Sequence, residues 1–178
     1  MSSSPLTEVI YREQTFRFAA DALGGTRTAP LLKPAEVMLL DWAYATAKAE
    51  TLKEVTLLHD RAGVLCTCVR AAKKYFVSDN LRHVERMHTH HGVNQASPTP
   101  QRFSLLSLDK PGAEINLLHL PKSLELFEQY LLTVARTATP NTRLAAAFQT
   151  KYFTPQLLKV AGKYAAKVSQ SRAFKKTR

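Results

Sequence analysis

The sequence predicts a doubly wound α/β domain built on a parallel sheet, and three observations carry that expectation. Short apolar runs with β-forming residues recur from residue 54 onward. Helix-like stretches of about 10 to 15 residues separate them, which is the spacing of βαβ crossovers. The chain has 178 residues, 45% of them apolar and 22% charged, enough for one globular domain with a buried core.

The elements follow in order. Residues 1–34 are expected to be an N-terminal extension. Within it Glu8 to Phe18, rich in Val9, Ile10, Tyr11, Thr15, Phe16 and Phe18, reads as one or two short strands, and Gly24-Gly25 breaks the pattern. Residues 35–178 are expected to be the α/β domain. Pro34 opens a helix through about Ala49, because a first-turn proline loses no needed donor. Its predicted apolar stripe is Val37, Leu40, Tyr44 and Ala47. Glu54 to His59 reads as a strand, Ala62 to Ala72 as a helix, and Tyr75 to Ser78 as the next strand. Asp79 to His91 reads as a helix stopped by Gly92. Phe103 to Leu108 and Ile115 to Leu120 read as strands. The helix after Pro121 is expected to run from Lys122 to about Ala138, with Leu124, Phe127, Leu131 and Val134 on one face. Arg143 to Phe148 is a fifth strand. Thr154 and Pro155 start another helix, and Ala165 to Gln170 is a candidate last strand.

Charge divides the chain. The net charge is +11, from 25 Lys+Arg against 14 Asp+Glu. No Asp or Glu follows Glu128, whereas ten basic residues do. A basic, acid-free third favours a polyanion partner, nucleic acid before membrane. The bland alternative is a solvated surface. No apolar run reaches the ~20 residues a membrane helix needs, and the N-terminus lacks the basic and apolar regions of a secretory signal. Cys66 and Cys68 are too close for an unstrained bridge and read as small buried hydrophobes, as fits a reducing cytoplasm.

Catalytic motifs are missing. In open α/β sheets the first strand–turn–helix holds a cofactor, and close approach of backbone to ligand needs several glycines there. The turn His59-Asp60-Arg61-Ala62-Gly63 has one, so the site reads as absent or degenerate. Asp79 sits where a ribose-binding acid would, but standing alone it reads as a first-turn helix acid. His83, His88, His90 and His91 lack partner ligands at metal spacing, so no metal is expected. There is no GxSxG, no GxxxxGK[ST] and no Asn-Pro-Pro-aromatic; Leu120-Pro121-Lys122-Ser123 stands in the place of the last.

The stretches TLLHDRAGVLC, KKYFVSDNLRHVERMHTHHGV, INLLHLPKSLELFEQYL and NTRLAAAFQTKYFTPQLLKVAGKY, with the basic end SRAFKK, resemble the N-terminal domain of bacterial ribosomal RNA guanine-N2 methyltransferases of the RlmG/RsmC type. The likeness runs from about Leu39 to Lys176, and Leu120 to Leu124 is its most specific mark. The resemblance implies a Rossmann-like fold, a degenerate class I methyltransferase domain. It implies a parent enzyme with two tandem domains. The N-terminal one has lost the cofactor motifs and binds RNA; the C-terminal one carries S-adenosylmethionine and the Asn-Pro-Pro-Phe motif. This chain is then an isolated N-terminal domain with no catalytic residue, no cofactor and no metal of its own. Its expected partners are ribosomal RNA and the C-terminal catalytic domain, not a membrane, and its expected location is the cytoplasm. The expected RNA contacts are Lys122, Lys151, Lys159, Lys163, Lys167, Arg172, Lys175, Lys176 and Arg178. Lys159 and Lys163 share a helix face, and Tyr152, Phe153, Tyr164 and Phe174 interleave with the cations. Of these, Phe153 and Tyr164 read as core residues. Two alternatives stand beside this reading: an active S-adenosylmethionine-dependent methyltransferase, and a protein-interaction module that docks a catalytic domain.

Overall fold

The structure is a computed structural model that describes residues 5–23, 32–173 and 176–177. An antiparallel hairpin opens it, β1 (Leu6–Tyr11) and β2 (Gln14–Ala19), joined at Arg12 and Glu13. Both turn residues have positive φ, the geometry of a two-residue hairpin turn that follows the strands' own twist. Arg12 is held there by the Tyr44 ring, 4.1 Å from its guanidinium, and by Asp41 at 3.5 Å. The hairpin is no free-standing arm. Val9, Tyr11, Phe16 and Phe18 belong to the same buried cluster as the first helix and the sheet.

Helix α1 (Pro34–Ala47) begins where the proline predicted. Its capping box is closed by Glu36, whose carboxylate accepts from the Lys33 amide at 2.9 Å. The buried face is Glu36, Leu39, Leu40, Ala43 and Tyr44. Ala47 is exposed and Val37 only half-buried, so the predicted stripe was rotated towards the wrong side.

The main sheet has five parallel strands in the order β5-β4-β3-β6-β7. Strand β3 is Leu52–Leu58, β4 Ala71–Val77, β5 Gln101–Phe103, β6 Ile115–His119 and β7 Arg143–Ala147. Side-chain alternation splits the core in two. Val55, Leu57, Phe76 and Leu117 face α1, the hairpin, α2 (Val64–Cys68) and α3 (Leu81–Val93). Leu58, Val77 and Leu118 face α4 (Leu124–Ala135) and α5 (Pro155–Tyr164). This is the doubly wound, Rossmann-like arrangement that the alternating runs predicted.

Several element expectations are corrected. The helix expected over Ala62–Ala72 shrinks to Val64–Cys68, because Ala71 is already paired with Leu52 as the start of β4. The strand expected over Phe103–Leu108 ends at Phe103, where the chain turns through a Ser104–Ser107 backbone bond of 3.1 Å. Helix α3 runs one residue past Gly92, and α4 stops at Ala135, short of Ala138. No strand forms over Ala165–Gln170, which is exposed irregular chain. Thr154 holds the N-cap position of α5, but its side chain makes no capping bond.

Candidate functional site

Strand order fixes where a ligand would bind. The chain steps outward from β3 to β4 and β5, then returns to β6 on the other side of β3. The crevice at such a switch lies outside the carboxyl ends of the two central strands, here β3 and β6. Those ends carry His59-Asp60 and His119-Leu120.

The chain's own side chains fill this corner. Asp60 is 1% exposed, and its carboxylate accepts from the Val64 amide at 3.1 Å and the Cys66 amide at 2.9 Å. It thereby satisfies the first donors of α2, the groups that a helix N-terminus otherwise offers to an anion. Burial pushes the Asp60 carboxyl up to about 6, although the amide bonds pull the other way. Gly63, the one glycine of the turn, has φ +68°, and a Cβ there would lie 2.5 Å from the Met87 Cα. Its missing side chain admits α3, not a ligand.

The rim is aromatic. His59 lies edge-on to His83 at 5.5 Å and to Tyr130 at 5.7 Å, and its Nδ1 is 3.3 Å from the Tyr130 hydroxyl. Burial, then the Arg61 and His83 charges, hold His59 down at about 4. On the other side His119 faces Glu36, with Nε2 and Oε1 3.9 Å apart. Burial raises Glu36 to about 7 and lowers His119 to about 3. In mildly acid solution both are uncharged, and their contact is not an ion pair. At this corner the amides of Val64 and Cys66 are taken by Asp60, and the one glycine of the turn packs against the Met87 backbone.

The other singled-out residues have structural partners. Asp79 accepts from the Leu105 amide at 2.9 Å and pins the turn after β5. His90 is 1% exposed. Its Nε2 accepts from the Ala19 amide at 3.1 Å, which assigns its proton to Nδ1, 2.6 Å from the Ala62 carbonyl. One ring thus ties the hairpin to the β3–α2 turn. His91 reaches the Pro98 carbonyl at 3.1 Å and His83 the Ser78 hydroxyl at 3.3 Å. Among the described residues no three His, Cys, Asp or Glu gather as a metal site. Cys66 and Cys68 are free and buried, and burial pushes both thiols up. No helix of the described residues is long and apolar enough to cross a membrane.

The predicted RNA contacts lie at the surface. Lys122, Lys151, Lys159, Lys163, Lys167, Arg172 and Lys176 are all exposed; Lys175, Arg178 and Phe174 lie outside the described residues. Lys163 is not a free cation, because its Nζ donates to Glu128 at 2.9 Å. The Tyr164 hydroxyl donates to the same carboxylate at 3.0 Å, so this pair helps seat α5 on α4. Phe153 and Tyr164 are half-buried, between the stacking and the core readings. Lys122 and Lys151 leave the sheet on neighbouring strands, where the Leu120 amide donates to the Ala147 carbonyl at 3.2 Å.

Residues 33–178 match the family described as the RLMG N-terminal domain. A search of curated proteins finds no match. Among solved structures, the chain resembles the 16S rRNA N2 G1207 methyltransferase RsmC of T. thermophilus, in complex with AdoMet and guanosine. The TM-score is 0.67 at 14% identity, over 92% of this chain and 46% of that one. The chain thus spans about half the length of that protein. The ribosomal protein L11 methylase of Lactobacillus delbrueckii subsp. bulgaricus gives 0.65 at 9% identity, over 96% and 95% of the two chains. The precorrin 8W decarboxylase of Methanobacterium thermoautotrophicum gives 0.57 at 12%, over 75% and 74%. Identities this low show a shared fold, and a fold does not select among their reactions.

Proposed function

The chain belongs to the RLMG N-terminal domain family, and on that premise we propose that it is a non-catalytic, RNA-binding support domain of an S-adenosylmethionine-dependent ribosomal RNA guanine-N2 methyltransferase. The observation that carries the non-catalytic part is Asp60, which occupies the α2 amides from within the chain. A corner closed in this way has no place for S-adenosylmethionine, and the cofactor belongs to a separate catalytic domain beyond residue 178. The basic residues after Glu128 track RNA phosphates and steer the substrate towards that domain. On this reading residues 35–178 are the degenerate methyltransferase-like unit and residues 1–34 an N-terminal extension, whose hairpin β1–β2 packs on that unit. A cytoplasmic location goes with a ribosomal RNA partner.

Charge reversal tests the RNA part. Lys159, Lys167 and Arg172 are the chosen sites, since reversing Lys163 would also set a carboxylate against Glu128. The triple Glu variant is expected to bind a ribosomal RNA fragment at least about ten-fold more weakly. Its salt slope should be shallower by about two to three, one unit or slightly less per lost phosphate contact. Unchanged affinity and slope in a variant of unaltered circular dichroism would refute phosphate tracking by these residues.

A second reading has an observation of its own. Strand β7 is one of the two outer strands of the sheet, beside an apolar cleft of about 330 Å³ lined in part by Val37, Met38, Trp42 and Ala145. That surface suits docking of a protein domain, with the charge incidental. Salt-independent pairing with a catalytic domain, and no RNA binding, would favour it.

A further inference from the structure

We propose that Tyr152, with Lys151 and Lys176 beside it, is a stacking platform for an unpaired RNA base at the carboxyl end of the sheet. This rests on the RNA-binding reading above and adds to it a discrete site and a preference for single strands. The site is assembled by the fold. Directly after β7 the chain makes a single 3-10 turn over Thr150–Tyr152. The C-terminal segment returns to that turn: Thr177 bridges Gln149, and the Thr150 amide donates to the Lys176 carbonyl at 2.8 Å. Lys176, 25 positions further on in sequence, is thereby brought by its backbone to the turn that carries Lys151. The turn is anchored through Phe148 and Phe153 at either end, whose rings lie nearly parallel, 13° apart, at 6.3 Å.

Tyr152 itself is left open. The residue is 48% exposed, although the Lys151 ammonium sits 4.9 Å from the ring centroid. A large aromatic ring held this far into solvent by a short turn has given up burial that would otherwise stabilise the fold. Neighbouring aromatic and cationic groups suit a nucleotide: the ring takes the base face, and the ammonium groups take the phosphates on either side. Bases inside a duplex are already stacked on both faces, so such a ring selects unpaired ones. Lys122 adds a third cation at the same sheet end, from the loop that follows β6.

The test compares Tyr152→Ser and Tyr152→Phe in the full chain. The probes are a fluorescein-labelled oligoadenylate of about 12 nucleotides and a blunt RNA duplex of the same length. Tyr152→Ser is expected to weaken oligoadenylate binding about ten-fold with an unchanged salt slope, since stacking releases no counterions. Duplex affinity should stay the same, and Tyr152→Phe should bind as the parent does. Equal oligoadenylate affinity in Tyr152→Ser would overturn the platform and leave phosphate tracking standing. Loss in Tyr152→Phe as well would overturn stacking, because the ring is retained there. Failure of the parent chain to bind either probe would overturn both the platform and the RNA-binding reading.

Discussion

Asp60→Ala is expected to lower the unfolding free energy by about 2 kcal/mol near neutral pH, because two buried amides lose their acceptor. Asp60 takes the Val64 and Cys66 amides in a buried corner, with Leu65, Val64 and Ala62 also buried around it. The pH dependence has a definite sign. Burial raises the Asp60 carboxyl to about 6 in the folded chain, above its ordinary value of 3.8. The folded state therefore holds the proton more tightly, so the contribution of Asp60 is full below pH 3.8 and declines as pH rises through about 6. Alanine does not titrate. The penalty measured by denaturant unfolding should be larger near pH 5 than near pH 7.5. A penalty below about 0.5 kcal/mol near neutral pH would contradict the capping role, and one that shrinks on acidification would show that the amide bonds outweigh burial in setting the Asp60 carboxyl.

Gly63→Ala is expected to cost more, about 3 kcal/mol. Two effects add. The residue stands at φ +68°, where a side chain costs roughly 1 kcal/mol or more. The new Cβ would also meet the Met87 backbone at 2.5 Å, and backbone cannot swing aside as a side-chain tip can. Helix α3 would have to move outward, opening the contacts of Met87, itself fully buried. The exposed Gly92 is the internal comparison, since a Cβ there meets nothing within 4 Å. Gly92→Ala should leave the unfolding midpoint within about 0.5 kcal/mol of the parent or raise it. Equal effects at the two glycines would show that α3 does not depend on the bare backbone of Gly63.

These two residues show how far the sequence could be read. The β3–α2 turn is poor in glycine and rich in bulky side chains in sequence, and the structure shows where those side chains go: Asp60 turns inward onto the amides of α2. The role of Asp60 was legible only in part. An acid four residues before a helix is a local capping signal, but the expected helix began at Ala62, which hid the spacing. The strand expected from Tyr75 starts earlier in the structure, at Ala71, and takes in Lys73 and Lys74. Lys73 reaches Glu54 across the strands at 3.2 Å, and buried Lys74 donates to the Cys66 carbonyl at 2.9 Å. These charges are satisfied by tertiary contacts that no local pattern announces.

Long-range partners were out of reach altogether. Glu36 and His119 are 83 positions apart, and nothing in either local pattern joins them. The same holds for His90, whose contacts lie 71 and 28 positions away. The histidine cluster carried no metal spacing, but the use of His90 as a tie between hairpin and turn needed the fold. The basic third was visible as composition. That Lys163 is committed to Glu128, and that Lys176 folds back onto the turn at Thr150, is information held only by the packing.

The most direct measurement of the central claim is a calorimetric titration of the 178-residue chain with S-adenosylmethionine. A corner already filled by Asp60, His59 and Tyr130 predicts no saturable heat at ligand concentrations up to about 1 mM, the range that reports weak specific sites. Saturable one-to-one binding, abolished by a bulky substitution at Ala62, would contradict it and return the chain to the methyltransferases that hold their own cofactor.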